Sequence, residues 1–158
     1  FVMEIKTFDD GLKMIRDLGM LTDREDEAER MAGAIEEKFH GMGQTNGKRA
    51  AYVIWQNPYM VAGGDTYINS MLEKAGFTNV FKNDEGRYPE VSMQDFRDAE
   101  PELIFLASEP FPFQEAHKQK FEQQIPESRT MLIDGEICWY GSRMLKAADD
   151  LNRLLAGI

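Results

Sequence analysis

From residue 49 onward the sequence alternates between apolar, strand-like runs and helical segments, and this alternation constrains the fold more than any other feature. The run at 103–107 is apolar at every position, which is typical of a strand buried on both faces of a parallel sheet. Further strand-like runs lie at 49–55, 79–81 and 130–133. Alternating strands and helices favour right-handed crossovers with helices on both faces. The sequence therefore predicts an α/β, Rossmann-like, three-layer fold with a mostly parallel sheet of about four strands.

Two helices are predicted ahead of the first strand. Thr7 is a good N-cap for a helix over residues 7–19, and Gly19 suits its C-terminal stop. A longer helix over about 23–39 begins with an acidic turn and carries a narrow apolar stripe, which is typical of a helix along an outside surface. The segment 41–47 is a loop by composition.

The composition excludes several classes of function. The 158 residues include 18 Lys or Arg and 28 Asp or Glu, which gives a net charge of −10. This acidity argues against nucleic acid or an anionic membrane surface as a partner. A single cysteine, Cys138, excludes an internal disulfide and a cysteine-based zinc site, and two histidines are too few for a multi-histidine metal site. No apolar run reaches the roughly 18 residues that a membrane-spanning helix needs.

The loops that follow the predicted strands are unusually aromatic. Ligands of open parallel sheets bind outside the carboxyl ends of the strands, so these loops are the place to expect a site. Such a rim indicates either loops that pack on one another or a site for a large flat ligand or a protein partner. The aromatic and arginine side chains of the rim are Trp55, Tyr59, Arg87, Tyr88, Phe111, Phe113, Trp139, Tyr140 and Arg143.

Catalytic motifs are incomplete in this sequence. Gly63 and Gly64 precede a helix and could cradle an anion, but the segment lacks the lysine of a P-loop and the three-glycine spacing of a dinucleotide site. A tight turn is therefore the favoured interpretation. His117, with lysines nearby, is interpreted as a solvated surface residue, and Cys138 as a packed thiol rather than a nucleophile. We predict a protein that is not an enzyme.

Several motifs occur in order along almost the whole chain. They are Thr7-Phe8-Asp9-Asp10, Trp55-x-x-Pro58-Tyr59-Met60-x-x-Gly63-Gly64-Asp65, Ala75-Gly76-Phe77-x-Asn79-Val80-Phe81, Tyr88-Pro89-Glu90-Val91-Ser92, Pro101-x-Leu103-Ile104, Ser108-Glu109-Pro110 and Trp139-Tyr140-Gly141-Ser142-Arg143. On these motifs the sequence resembles the C-terminal part of the class III, helical-backbone substrate-binding proteins of ABC importers, which bind vitamin B12, haem or ferric siderophores. The last motif is most similar to a bacterial subgroup called helical-backbone metal receptors.

The resemblance implies a receptor in which a rigid helix joins two α/β lobes that hold the ligand between them. Residues 1–47 would be the end of the first lobe and the inter-lobe helix, and residues 48–158 the C-terminal lobe, with the N-terminal lobe absent from this chain. The expected cargo is a metal chelate, a corrinoid or a haem-like ligand, delivered to an ABC permease of the inner membrane. The expected location is the periplasm, or a lipid anchor outside the cytoplasmic membrane, and no further cofactor is expected.

The resemblance also assigns roles to particular positions. On physical grounds, Arg143 or Arg87 would pair with carboxylate or phosphate groups of such a ligand. The ligand-facing positions are Tyr59, Met60, Tyr88, the loop from Glu109 through Phe111 to Phe113, and the segment from Trp139 through Tyr140 to Arg143.

Docking to the permease is the feature in which the sequence departs from the family. The family carries a glutamate two residues after the Val-Ser pair, and that acid pairs with permease arginines, whereas this chain has Gln94 there. Asp95 is adjacent but points about 100° further round a helix, where it suits a cap partner of Ser92. Glu90 is the candidate substitute.

Two alternatives stay open. One is a doubly wound enzyme domain that holds a phosphorylated metabolite at the turn formed by Gly63 and Gly64. The other is a lobe repurposed for protein–protein interaction, in which the aromatic rim holds a protein, including another copy of this chain. Self-association is expected in either case if lobe-interface surface is exposed.

Overall fold

The computed structural model describes residues 2–44 and 47–158, so residue 1 of the predicted first segment and residues 45 and 46 of the predicted loop lie outside the described residues. In chain order the elements are α1 (Phe8–Leu21), α2 (Glu25–Phe39), β1 (Arg49–Trp55), β2 (Tyr59–Val61), α3 (Tyr67–Lys74), β3 (Thr78–Asn79), β4 (Glu90–Val91), α4 (Met93–Ala99), β5 (Leu103–Ala107), α5 (Glu115–Gln124), β6 (Arg129–Ile133), two 3₁₀ turns (Gly135–Cys138 and Gly141–Arg143) and α6 (Met144–Ala156).

The strands form one mixed sheet in the order β4-β2-β1-β5-β6, with β3 beside β1. β1 runs parallel to β3 and β5, and β5 runs parallel to β6. β2 and β4 are short antiparallel strands attached at the far end of β1. The predicted α/β fold with a mostly parallel sheet is confirmed. Six strands are present among the described residues rather than about four, because β2 and β4 lie within segments that were predicted as loops.

Helices cover both faces of the sheet, as the three-layer prediction requires. Tyr52 and Phe105 point into a core formed with α1, α2, α3 and α6. Val53 and Leu106, one residue further along the same strands, point into a second core formed with α4 and α5. This alternation follows from the two-residue period of a strand. All five residues of β5 are buried, which confirms its prediction as a central strand.

α1 and α2 form a helical hairpin that packs on the sheet. The predicted stop of α1 at Gly19 is wrong, since the helix continues to Leu21. Gly19 instead lies where the two helices approach closely, because a β-carbon there would collide with the Cβ of Ala28. The hairpin shares its core with the sheet, and the rings of Phe8 and Phe39 lie 4.8 Å apart. The assignment of residues 1–47 to the junction between two lobes stays a prediction.

α1 and α4 each begin with a capping box closed by an aspartate, and both of their predicted N-caps are confirmed. The amide of Asp10 donates to Thr7 Oγ1 at 3.0 Å, and the amide of Thr7 donates to Asp10 Oδ2 at 2.9 Å. At α4 the amide of Asp95 donates to Ser92 Oγ at 3.2 Å, and Ser92 N–H and O–H both donate to the Asp95 carboxylate. These hydrogen bonds lower the pKa of both aspartates.

The capping boxes predict an acid-dependent loss of stability. Because the folded-state pKa of Asp10 and Asp95 lies below the unfolded value, each carboxylate stabilises the fold above roughly pH 4 and loses this effect as the pH falls through its folded pKa. Urea unfolding from about pH 6 to pH 2 is expected to show a shallower decline in the free energy of unfolding for the double variant Asp10→Asn/Asp95→Asn than for the natural chain. Parallel declines would contradict the prediction.

Candidate functional site

A cleft of about 380 Å³ opens at the carboxyl ends of β1, β5 and β6. Its floor comes from β1, and its rim comes from the loops after β3, β5 and β6. This is the position at which open parallel sheets bind ligands. The residues that line it are Tyr52, Ile54, Ile68, Tyr88, Glu109, Pro110, Gly135, Cys138 and Trp139.

The cleft brings together three of the predicted ligand-binding residues, Tyr88, Glu109 and Trp139. The two aromatic side chains are substantially exposed, Tyr88 at 38% and Trp139 at 48%. Exposed aromatic rings on a concave wall retain apolar area that a ligand can cover. Sequence reasoning did not assign Tyr52 or Ile54 to the site, although their two-residue spacing on β1 shows that they share a face of the sheet.

Trp55, Phe111 and Phe113 form a separate aromatic group beside the cleft. The Trp55 ring meets Phe111 edge-on at 5.6 Å, and Phe111 and Phe113 lie 4.8 Å apart. His117 packs against both phenylalanines, and its Nδ1 accepts a hydrogen bond from the Gln114 amide. The interpretation of His117 as a solvated surface residue is therefore wrong. Phe113 is buried, so it supports this group from below rather than lining the cleft.

Tyr59, Met60 and Tyr140 also lie outside the cleft lining. The Tyr59 ring contacts Phe121 at 5.2 Å and belongs to the second core, on the side of the sheet that α4 and α5 cover. Met60 is half-buried in β2, opposite Glu90 of β4. Tyr140 is half-exposed and packs edge-on against the buried Tyr67 at 5.5 Å.

The two candidate arginines already have protein partners. Arg143 Nε lies 2.9 Å from the Glu136 carboxylate, and its terminal nitrogens lie 3.5 Å from Asp134 and Asp150. A ligand carboxylate would have to compete with these three acids for a guanidinium whose side chain is only 15% exposed. Arg87 is exposed, and its Nε donates a hydrogen bond of 3.0 Å to the Asp65 carbonyl.

Acidic groups gather on the β5–β6 side of the cleft. One carboxylate oxygen from each of Glu109, Asp134 and Glu136 lies within 4.8 Å of the other two. Three carboxylates at this separation repel one another unless a cation lies near them. Arg143 supplies one positive charge to Asp134 and Glu136. Among the described residues, Glu109 has no ion-pair partner.

A tyrosine and the cysteine meet at the base of the cleft. The side chains of Tyr52 and Cys138 both line the cleft and interact with each other. Burial raises the pKa of the Tyr52 hydroxyl well above its ordinary value, and it raises the pKa of the Cys138 thiol to about 12. Both groups are therefore neutral at physiological pH. The interpretation of Cys138 as a packed thiol agrees with these contacts.

The raised pKa of Cys138 predicts a slow thiol reaction in the folded protein. The thiolate is the reactive species, and a pKa of about 12 leaves almost none of it at pH 8. Reaction with a chromogenic disulfide reagent is expected to be at least about 100-fold slower in buffer than in 6–8 M urea, where the ordinary pKa of about 8.5 returns, because the higher nucleophilicity of a high-pKa thiolate offsets only part of its lower population. Equal rates in the two solvents would contradict the prediction, and the urea reaction serves as the control.

Gly63 and Gly64 hold the loop that carries Tyr88. A β-carbon at Gly63 would lie 2.7 Å from the carbonyl oxygen of Gly86, and one at Gly64 would collide with the carbonyl oxygen of Lys82. The amide of Gly63 donates to the Arg87 carbonyl at 2.8 Å. The glycines are therefore required by a close approach between two backbone segments, which favours the structural interpretation of this segment.

The candidate docking residues lie at β4 and the start of α4. Glu90 is exposed in β4. The Gln94 amide donates to Asp98 at 2.8 Å, and Asp95 is engaged in the cap of Ser92. Of the three, Glu90 is therefore the acid that is left available to a partner.

Comparison with known proteins identifies the family. Residues 1–131 match the family model described as "Periplasmic binding protein", and the chain belongs to this family. No curated protein sequence matches the chain. Among solved structures, a protein of Staphylococcus epidermidis described as a possible iron-binding (periplasmic solute-binding) protein superposes with a TM-score of 0.81 at 18% identity, over 98% of this chain and 65% of that one.

Further solved structures share the fold. The periplasmic haem-binding protein of Vibrio cholerae has a TM-score of 0.77 at 17% identity, over 95% of this chain and 64% of that one. The periplasmic vitamin B12-binding protein of the same organism has a TM-score of 0.71 at 15% identity, over 99% and 64%. The chain thus spans about 65% of the length of these structures. Within the described ranges, no helix combines the length and apolar character needed to cross a membrane.

Proposed function

We propose that this chain is part of the substrate-binding component of an ABC import system, and that its cleft binds a metal chelate, a corrinoid or a haem-like ligand. The observation that carries the proposal is an aromatic-walled cleft at the carboxyl ends of the strands in a member of the periplasmic binding protein family. The similar structures support this ligand class, since they include a haem-binding protein, a vitamin B12-binding protein and one described as a possible iron-binding protein.

The proposed mechanism is closure of two lobes around the cargo. The cleft lies at one edge of the sheet and its aromatic walls are partly exposed, so a single lobe covers one side of a bound ligand. The second lobe would cover the other side, and a helix joining the lobes would restrict closure to a modest hinge movement. The loaded receptor would then dock on a membrane permease outside the cytoplasmic membrane, as a periplasmic or lipid-anchored protein. Glu90 is the proposed docking acid.

A spectroscopic titration tests the proposed function. The full-length protein is titrated with haemin, cyanocobalamin and a ferric trihydroxamate, while Trp fluorescence and ligand absorbance are recorded. Saturation by one of them at micromolar or tighter affinity would support the proposal. Failure of all three would remove this ligand class, and turnover of a phosphorylated metabolite would instead support the enzyme alternative.

The exposed tip of the α1–α2 hairpin favours a second property, self-association of the chain. Leu18, Met20 and Leu21 are all exposed there, next to an apolar groove between the two helices. Adjacent exposed apolar side chains promote association in water. Sedimentation velocity is expected to show a concentration-dependent shift for the natural chain, and a smaller shift for Met20→Glu/Leu21→Glu. A concentration-independent monomer would contradict this prediction.

A further inference from the structure

We propose that the cleft selects a metal chelate that carries a positively charged group, with Glu109 as the counter-ion and the rings of Tyr88 and Trp139 as its apolar walls. This inference rests on the proposed function and narrows its ligand class. It departs from the expectation that arginines bind acidic groups of the ligand. The site is the cleft itself, and the side chains around it determine which charge it accepts.

The charge balance of the β5–β6 side of the cleft is negative. Glu109, Asp134 and Glu136 contribute three negative charges within a few ångströms of one another. Arg143 contributes one positive charge, and it is shared further with Asp150. Asp150 is itself paired with Lys146 and Arg153, so these four acids and three bases leave a net negative charge on this side. Glu109 lines the cleft directly. An anionic ligand group brought here would be repelled, whereas a cationic group would be attracted.

Contacts with the β6 loop fix Glu109 in this place. The amide of Gly135 donates to Ser108 Oγ at 3.0 Å, which ties the loop after β6 to the loop after β5. A β-carbon at Gly135 would lie 2.6 Å from Glu109 Cγ, so the glutamate side chain lies directly against the glycine backbone. A larger residue at Gly135 would displace the carboxylate. Glu109 is thus held by packing, with no ion pair among the described residues that would neutralise it.

The aromatic walls are compatible with the same kind of ligand. The faces of Trp and Tyr rings carry negative electrostatic potential and attract ammonium groups, and Trp139 and Tyr88 keep much of their ring surface exposed in the cleft. The Glu109 carboxylate and the two aromatic rings therefore both favour a cationic group. The same rings cover the apolar surface of a chelate.

Positive side chains near the cleft are few and are engaged elsewhere. Arg87 is next to Tyr88 in sequence, but its Nε bonds to the Asp65 carbonyl and it is not part of the cleft lining. Lys6 is likewise absent from the cleft lining, and it pairs with the Asp65 carboxylate at 2.9 Å. Neither reduces the negative charge next to Glu109.

Two ligands that differ in one charge test the inference. Ferrioxamine B is a ferric trihydroxamate with a free ammonium group, and its N-acetyl derivative has the same chelate without that charge. The natural protein is expected to bind the ammonium form roughly tenfold tighter, by quenching of Trp fluorescence. Glu109→Gln, which preserves the shape of the side chain, is expected to remove most of this preference. Glu127→Gln, at an exposed acid outside the cleft lining, is the matched control and is expected to keep it.

The other outcomes separate this inference from the proposed function. Equal affinity for the two ferrioxamines would overturn the charge preference and leave the proposed function intact. Binding of haemin or cyanocobalamin without any binding of ferrioxamine B would also overturn the charge preference and leave the proposed function intact. Failure of every ligand would overturn both proposals. A preference that persists in Glu109→Gln would overturn the role of this carboxylate, and a preference insensitive to salt between 20 and 500 mM would contradict its electrostatic origin.

Discussion

Replacing Trp139 with alanine is expected to weaken the binding of the saturating ligand by roughly tenfold to 30-fold. Trp139 lines the cleft and leaves almost half of its surface exposed in the free protein. A large, rigid aromatic side chain of this kind contributes more binding free energy than most contact residues, commonly more than about 1–2 kcal/mol. The dissociation constant is measured by fluorescence or absorbance titration, as for the natural chain.

Trp55 provides a matched control for this substitution. It is a tryptophan of similar exposure, at 40%, at the end of β1, but its ring packs edge-on against Phe111 and does not line the cleft. Trp55→Ala is therefore expected to change the affinity by less than about threefold. Equal losses of ligand affinity in the two variants would show that the ligand also covers Trp55. No loss in Trp139→Ala would contradict the placement of the site in the cleft.

The main strands and the layer arrangement could be predicted because their signals are local. Every residue of β5 is apolar, and only a strand with both faces covered accommodates such a run. The short strands β2 and β4 have no comparable signal. They contain three and two residues, and they exist because their backbones pair with β1 and with one another. Pairing of this kind depends on the tertiary fold and leaves no periodicity in the sequence.

The same distinction applies to the candidate site. Tyr88 and Trp139 were identified from their loops, because the carboxyl ends of parallel strands meet at one edge of the sheet, whereas Glu109 was identified from the family resemblance. The direction of each side chain could not be predicted. Tyr59 points to the second core once β2 pairs with β1, and Arg143 meets Asp150 of α6 as well as its near neighbours. Such contacts decide which rim residues can reach a ligand.

Substitution of Gly64 with alanine is expected to lower the free energy of unfolding by about 2–3 kcal/mol. The new β-carbon would collide with the carbonyl oxygen of Lys82, and a backbone atom cannot rotate away as a flexible side chain can. The segment 82–89 would have to shift, and Tyr88 would move with it. Chelate affinity should therefore fall together with stability, as measured by urea unfolding and by titration.

Gly33 offers the matched control, because a β-carbon there would have no described heavy atom within 4 Å. It lies inside α2, where alanine is preferred to glycine, so Gly33→Ala is expected to stabilise the protein by about 0.5–1 kcal/mol and to leave ligand affinity unchanged. Changes of opposite sign in the free energy of unfolding for the two glycine substitutions would identify Gly64 as a packing position. If Gly64→Ala instead kept full stability and abolished binding of a phosphorylated metabolite, the segment would hold a phosphate and the enzyme alternative would be favoured.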